Sequence, residues 1–120
     1  ERSTKILKLA DGLGIRVAWL PFESEPPRCN LIVSTVPAGS LIRRAEDLAA
    51  RANAVFDVVY DPWPTPLAVA GKIAGATVID GLDLLAGQAV GQVQLMTGYP
   101  VPMDVLRSTA QNGLAEHARL

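Results

Sequence analysis

The stretch FDVVYDPWPTPL, Phe56–Leu67, sets an apolar run against a proline-rich junction and then opens something new. The run AVFDVVY, residues 54–60, is too continuously apolar for a strand with one wet face. It suits a strand buried on both faces, as in a parallel sheet. Two prolines, Pro62 and Pro64, bracket Trp63, and proline cannot continue a hydrogen-bonded ladder. Thr65 followed by Pro66 then marks a helix start: the hydroxyl caps, and proline fills the first helical position, where its missing N–H costs nothing. The unit is strand, tight loop, helix. Tyr60 stands at the carboxyl end of the strand, the edge outside which open α/β sheets bind ligands.

Working outward, the same alternation recurs. Residues 3–14 predict a helix, with Ser3 as cap, Ile6, Leu9, Ala10 and Leu13 on one face, and Gly14 as terminator. IRVAWL, residues 15–20, predicts a strand with Ile15, Val17 and Trp19 on one face, stopped by Pro21. PFESEPPR, residues 21–28, reads as a surface loop. NLIVSTV, residues 30–36, predicts a second buried strand. Residues 38–53 have helical spacing, with Leu41, Ala45, Leu48 and Ala49 sharing a face. A helix from Thr65 to about Gly75 precedes a short strand, ATVID, at 76–80. A long helix follows over 82–98, then a turn, then a terminal helix from Met103 weakened at Gly113. Strands alternating with helices mean an α/β fold with right-handed crossovers.

Composition narrows the function classes. The chain has 120 residues, 49% of them apolar, and a net charge of −1. That is enough apolar material for one packed domain and argues against disorder. The near-neutral balance gives no electrostatic reason to expect nucleic acid or an anionic membrane as partner. Charges and prolines break every apolar stretch well before membrane-spanning length. Cys29 is the only cysteine and His117 the only histidine, so an intramolecular disulfide, a multi-cysteine zinc site and a histidine-based metal cluster or triad are all excluded within these residues. A cytoplasmic location is compatible with this cysteine usage. The N-terminus, ERSTKILKLADGLG, carries acids and bases and does not read as a secretory signal; with no initiator Met, it reads as the middle of a longer chain.

Several residues can carry chemistry, each with a plainer reading beside it. The Tyr60 phenol can donate to a ligand while its ring packs on the sheet, or it can bond a backbone carbonyl as a core tyrosine. The Gln88 amide can donate and accept towards a polyhydroxylated ligand, or lie on a solvated helix face like Gln92 and Gln94. Gly81 can let a flat ring approach the backbone, or simply make a strand-to-helix turn. Arg2, Ser3, Thr4 and Lys5 open the first helix, where backbone N–H groups favour anions; the alternative is a solvated helix start. Ser34 and Thr35 close a strand and can line a crevice or satisfy themselves. Asp57, Asp80 and Asp83 read as strand-end and helix-start residues rather than general bases, and Trp63 as packing over the loop.

Four segments, in order, resemble the C-terminal half of the shikimate dehydrogenase family, which includes shikimate/quinate dehydrogenases. ERSTK is similar to the family's N-R-T-x-x-R, LIVSTVPAG to I-I-N-A-T-P-x-G, DVVYDPWPTPL to D-x-x-Y-x-P-x-x-T-P-L, and VIDGLDLLAGQAVGQVQLMTGYPVP to V-x-D-G-x-x-M-L-x-x-Q-A with its trailing helix and T-G-x-P turn. The last two are the specific ones. The resemblance implies a Rossmann-like parallel sheet flanked by helices, incomplete here. Residues 1–100 would form the C-terminal part of an NADP-binding domain, and 101–120 a terminal helix packing back toward a substrate domain that, with the Gly-rich phosphate loop and the first two strands, precedes Glu1.

The resemblance also implies roles. Tyr60 and Gln88 would bind substrate; Arg2, Ser3, Thr4, Lys5, Ser34, Thr35, Val58 and Gly81 would bind NADP. The Lys and Asp of proton transfer lie upstream, no catalytic residue falls in this chain, and no metal is needed. The reaction implied is reversible NADPH-dependent reduction of 3-dehydroshikimate to shikimate, in aromatic amino acid biosynthesis. The 120-residue chain by itself is expected to be inactive. Implied partners are the small-molecule substrate, the N-terminal domain of the same protein and a second copy in a homodimer. Three departures stand out: Ile6 replaces a second family arginine, leaving Lys5 or Lys8 as point charges; Ser34 replaces asparagine; Leu84 replaces methionine. The alternatives are a quinate/shikimate dehydrogenase using NAD and a non-catalytic Rossmann-type nucleotide-binding module.

Overall fold

A computed structural model describes residues 2–117, with Arg2 as backbone only. The order is α1 (Arg2–Gly12), β1 (Cys29–Ser34), a 3-10 turn (Ala38–Leu41), α2 (Ala45–Ala49), β2 (Ala52–Asp57), α3 (Pro66–Ile73), β3 (Thr77–Ile79), α4 (Gly81–Thr97) and α5 (Met103–His117). The strands form a parallel sheet in the order β1-β2-β3. Ser34 lies level with Asp57, and Phe56 with Ile79, so the carboxyl ends of all three strands meet at one edge. The expected α/β class and parallel, helix-flanked sheet are therefore present.

The core lies where the sheet meets its helices. Val55 and Leu67 are fully buried and Leu41 nearly so, with Ile32, Leu48 and Ala76 packed around them. Ala45, Ala49 and Ala70 form a second cluster between α2 and α3. Small residues let the helices come close. A Cβ on Gly71 would lie 3.1 Å from Val78 Cγ2 and 3.4 Å from Val55 Cγ2, so α3 sits directly on the sheet. Arginines tie the 21–28 loop down. Arg44 donates to the carbonyls of Phe22 and Ser24 with its guanidinium over the Phe22 ring, and Arg51 donates to the Pro26 carbonyl and pairs with Glu25 and Asp47.

Four sequence expectations need correction. Residues 15–20 are not a strand: they run as exposed, irregular chain. In the Rossmann order 3-2-1-4-5-6 this segment would be strand 3, which pairs only with strand 2. No described residues supply that neighbour, and backbone alternation alone cannot make a ladder. Secondly, Ser3 is not a cap but sits inside α1, and the apolar face of that helix stays open, with Ile6, Leu9 and Leu13 exposed and Ala10 alone buried. Thirdly, the single helix over 38–53 breaks into the 3-10 turn and the five-residue α2, and β2 starts at Ala52. Fourthly, β2 ends at Asp57, three residues before Tyr60. Gly113 does not interrupt α5. The radius of gyration, 17.2 Å, exceeds the ~13.6 Å of a compact domain of this length. That fits α1 and residues 13–20 lying off the sheet.

Leu67 is the largest side chain in the dry centre. Leu67→Ala should lower unfolding free energy by about 2–5 kcal/mol, because it removes a side chain packed against Leu41 and Val55 and leaves a cavity. Urea titration checks this: the midpoint should fall with the slope unchanged.

Candidate functional site at the carboxyl edge of the sheet

The loop after β2 is closed by one buried carboxylate. Asp57 is fully buried. Its Oδ2 accepts from Thr65 Oγ1 at 2.7 Å, and its Oδ1 accepts from the Val59 N–H at 3.3 Å. The Thr65 hydroxyl works in both directions: it donates to Asp57 and accepts from the Ala68 N–H at 3.1 Å, capping α3 with Pro66 in the first turn. Residues 58–64 are thus pinned at both ends, with the Asp61–Pro62 and Trp63–Pro64 peptide bonds both cis. Pinning the loop places Tyr60, whose side is 40% exposed, on the crevice rim.

The second wall is the junction of β3 and α4. Asp80 and Asp83 form a reciprocal capping box: Asp80 Oδ1 accepts from the Asp83 N–H (2.8 Å), and Asp83 Oδ2 accepts from the Asp80 N–H (3.1 Å). Arg107, on α5, takes the two remaining oxygens. Its Nε donates to Asp83 Oδ1 and its Nη2 to Asp80 Oδ2, each at 2.6 Å. Gly81 lies between the walls. A Cβ there would fall 2.2 Å from the Val58 carbonyl oxygen and 3.2 Å from Tyr60 Cδ1. Only glycine fits that approach, and it brings Val58, Tyr60 and Gly81 into one contact.

The remaining candidates divide. Ser34 ends β1 beside Asp57; its hydroxyl is buried and has no hydrogen-bond partner among the described residues, while its carbonyl accepts from the Val58 N–H at 3.1 Å. Thr35, next to it, is exposed at the same edge. Gln88 is exposed on α4, two helical turns beyond Gly81 and on the same face by helical periodicity, and it makes no hydrogen bond among the described residues. Ser3 is half-buried and Thr4 and Lys5 are exposed in α1; no hydrogen bond or ion pair among the described residues joins them to the sheet. The Arg2 side chain lies outside the described residues. Asp57, Asp80 and Asp83 hold strand ends and a helix start, as their positions suggest, and Trp63 is half-buried and lines a cleft with Tyr60, Leu82 and Arg107.

Sequence reasoning missed Arg107. It sits 24 and 27 residues from its two partners, and nothing local distinguishes it from Arg43 or Arg16. Larger hollows lie elsewhere. One of ≈ 580 Å³ opens at the amino ends of the strands, around Asn30, Asn53 and Gly75, and an apolar one of ≈ 570 Å³ lies between α2 and α3. The first lies at the opposite end of the strands from their crossover loops, and the second, though Pro64 and Pro66 line part of it, is a mainly apolar groove between helices; the carboxyl edge, where ligands of open α/β sheets bind, is the better candidate. Among the described residues no cluster of His, Cys, Asp or Glu could hold a metal ion, and no helix is long and apolar enough to cross a membrane.

Two outcomes follow from this geometry. Thr65→Ala removes a helix cap and strips a donor from a buried carboxylate, a combined loss of about 2–3 kcal/mol. Thr65→Ser keeps the hydroxyl and should lose under ~1 kcal/mol; urea midpoints separate the two. For Asp83, partial burial opposes ionisation, but the Arg107 guanidinium and the Asp80 backbone N–H outweigh it and hold the carboxyl below its ordinary value. A folded-state value below the unfolded one adds stability that is fully present above the unfolded value, ~3.9, and is lost as pH falls through the depressed one. The stability gap between wild type and Asp83→Asn should therefore be full at pH 7 and shrink below about pH 4, read from urea midpoints across that range.

No family model matches the chain. It is similar to the shikimate dehydrogenase (NADP(+)) of Methanocella arvoryzae, 36% identical over 91 residues, covering 71% of this chain and 33% of that protein. Among solved structures, the shikimate 5-dehydrogenase of Mycobacterium fortuitum superimposes with a TM-score of 0.75 at 36% identity, over 88% of this chain and 41% of that one. The Thermus thermophilus shikimate 5-dehydrogenase, solved in complex with shikimate, gives 0.67 at 25% identity, over 94% and 42%. The chain spans about a third of the length of the curated relatives it matches. Over most of its length, in sequence and in fold, the chain is similar to part of these shikimate dehydrogenases.

Proposed function

We propose that this chain is the cofactor-side part of an NADP-dependent shikimate dehydrogenase, which reversibly reduces 3-dehydroshikimate to shikimate. The observation that carries the reading is the contact of Val58, Tyr60 and Gly81 at the carboxyl edge, where a Cβ at residue 81 would strike the Val58 carbonyl. Residues 1–100 are assigned to the Rossmann-type domain and 101–120 to a terminal helix that braces the substrate domain.

The residues present fit the cofactor. Gly81 packs its backbone against the Val58 carbonyl at the strand ends, where the unpartnered Ser34 hydroxyl also lies, with Thr35 exposed next to it. NADP, when bound, supplies the hydride chemistry. Gly81 and Val58 offer backbone groups to its nicotinamide end, and Ser34 and Thr35 line the crevice. Arg2, Ser3, Thr4 and Lys5 are assigned to the 2′-phosphate, where a helix N-terminus and cationic side chains favour an anion. The Tyr60 phenol donates to the carboxylate of shikimate, and the Gln88 amide exchanges hydrogen bonds with the ring hydroxyls. Proton transfer is left to residues outside this chain. The partners assigned are the substrate domain of the same protein and a second copy of it, and the location assigned is the cytoplasm. Ile6, in place of a second arginine, favours one alternative: an NAD-linked enzyme acting on shikimate or quinate.

Tyr60→Phe in the full-length enzyme removes one hydrogen bond to a charged group. It should raise KM for shikimate roughly ten- to hundred-fold, matching a loss of ~1.5–3 kcal/mol. Unchanged shikimate affinity removes Tyr60 from the site. Turnover of the wild-type enzyme with NADP+ and NAD+, on shikimate and quinate, separates the main reading from the alternative; shikimate with NADP+ should be the fastest pair.

A further inference from the structure

We propose that Arg107 is a positioning residue for the substrate side of the crevice, acting on Gly81 and Tyr60 from the last helix. The inference rests on the function proposed above. α5 fully buries none of its residues; Leu106, Ala110 and Leu114 are half-buried along one face, and a polar contact adds to that packing. The polar link from α5 to the sheet edge is one guanidinium spread over two carboxylates, with Nε on Asp83 and Nη2 on Asp80. The side chains are 31%, 28% and 11% exposed for Arg107, Asp83 and Asp80, so solvent screens the set less than a surface pair.

The same two carboxylates hold the first turn of α4. Each gives one oxygen to a backbone N–H of the capping box and the other to Arg107. Remove the cation and two like charges share a half-buried box with nothing between them. Separating them opens the first turn of α4. That turn begins at Gly81, which touches Val58 and the Tyr60 ring too closely for even a Cβ. A displacement there passes directly to Tyr60. Arg107 also lines a cleft of ≈ 170 Å³ with Tyr60, Trp63, Leu82 and Gln111, so the disturbance falls on the substrate side. Lysine can neutralise the pair but, as a single point charge, cannot span both carboxylates.

Steady-state kinetics of the full-length enzyme with shikimate and NADP+ test this on wild type, Arg107→Met and Arg107→Lys. Arg107→Met should raise KM for shikimate by about ten-fold or more through Tyr60, and KM for NADP+ by a smaller factor through Gly81, with Arg107→Lys in between. A purely structural arginine would lower the melting temperature and leave both KM values of the folded enzyme alone; that result overturns the proposal. If Arg107→Met does not fold, Arg107→Lys decides: a shikimate KM equal to wild type overturns it, and a raised one supports it. A wild-type enzyme with no shikimate turnover overturns the function and this inference together. Normal wild-type turnover with unmoved KM values overturns the inference alone.

Discussion

The hydrogen bond from Thr65 to the buried Asp57 carboxylate is the constraint on which the site depends. A carboxylate taken fully out of water must be matched by donors or it unfolds its surroundings. Here the donors are the loop's own Val59 N–H and the Thr65 hydroxyl that starts the next helix. One residue therefore ends a strand, closes a seven-residue loop and seeds α3. Because both ends of the loop are tied, Tyr60 is held at the rim without a strand beneath it.

The β3–α4 junction repeats the device with a different chemistry. Asp80 and Asp83 cap each other, and Arg107 neutralises both from α5. The two walls meet at Gly81, the one position in the crevice where a missing side chain is required by contact. The crevice is thus built from backbone proximity secured by polar clamps, with the apolar core of Val55, Leu67 and Leu41 lying below the strand ends. This division suits a site that must offer hydrogen-bonding groups to a polar ligand while the sheet stays rigid.

Much of this was legible in the residues. Thr65-Pro66 marked the start of α3, and Gly98 its place at the end of α4 in a left-handed conformation, because both signals act within one turn of chain. The parallel pairing of β1 and β2 followed from their apolar runs, but the expected burial of β1 on both faces did not hold: Leu31 and Val33 leave one of its faces exposed. What failed was everything that depends on distant neighbours. Ile15, Val17 and Trp19 alternate as a strand should, yet no adjacent strand among the described residues pairs with them. Tyr60 read as a strand end because the apolar run continues past Asp57, where the ladder stops. Helical spacing over 38–53 could not reveal that the chain breaks at residues 42–44. Arg107 was invisible because its partners lie on another helix and its significance is entirely spatial.

The claim at the centre is that two crossover units present a phenol and an amide to one ligand. A crystal structure of the full-length protein with shikimate bound measures this most directly. The account predicts Tyr60 Oη and the Gln88 side-chain amide within hydrogen-bonding distance of the same shikimate molecule, at the carboxyl edge of β2 and β3. Shikimate bound away from that edge, or touching neither side chain, would contradict it.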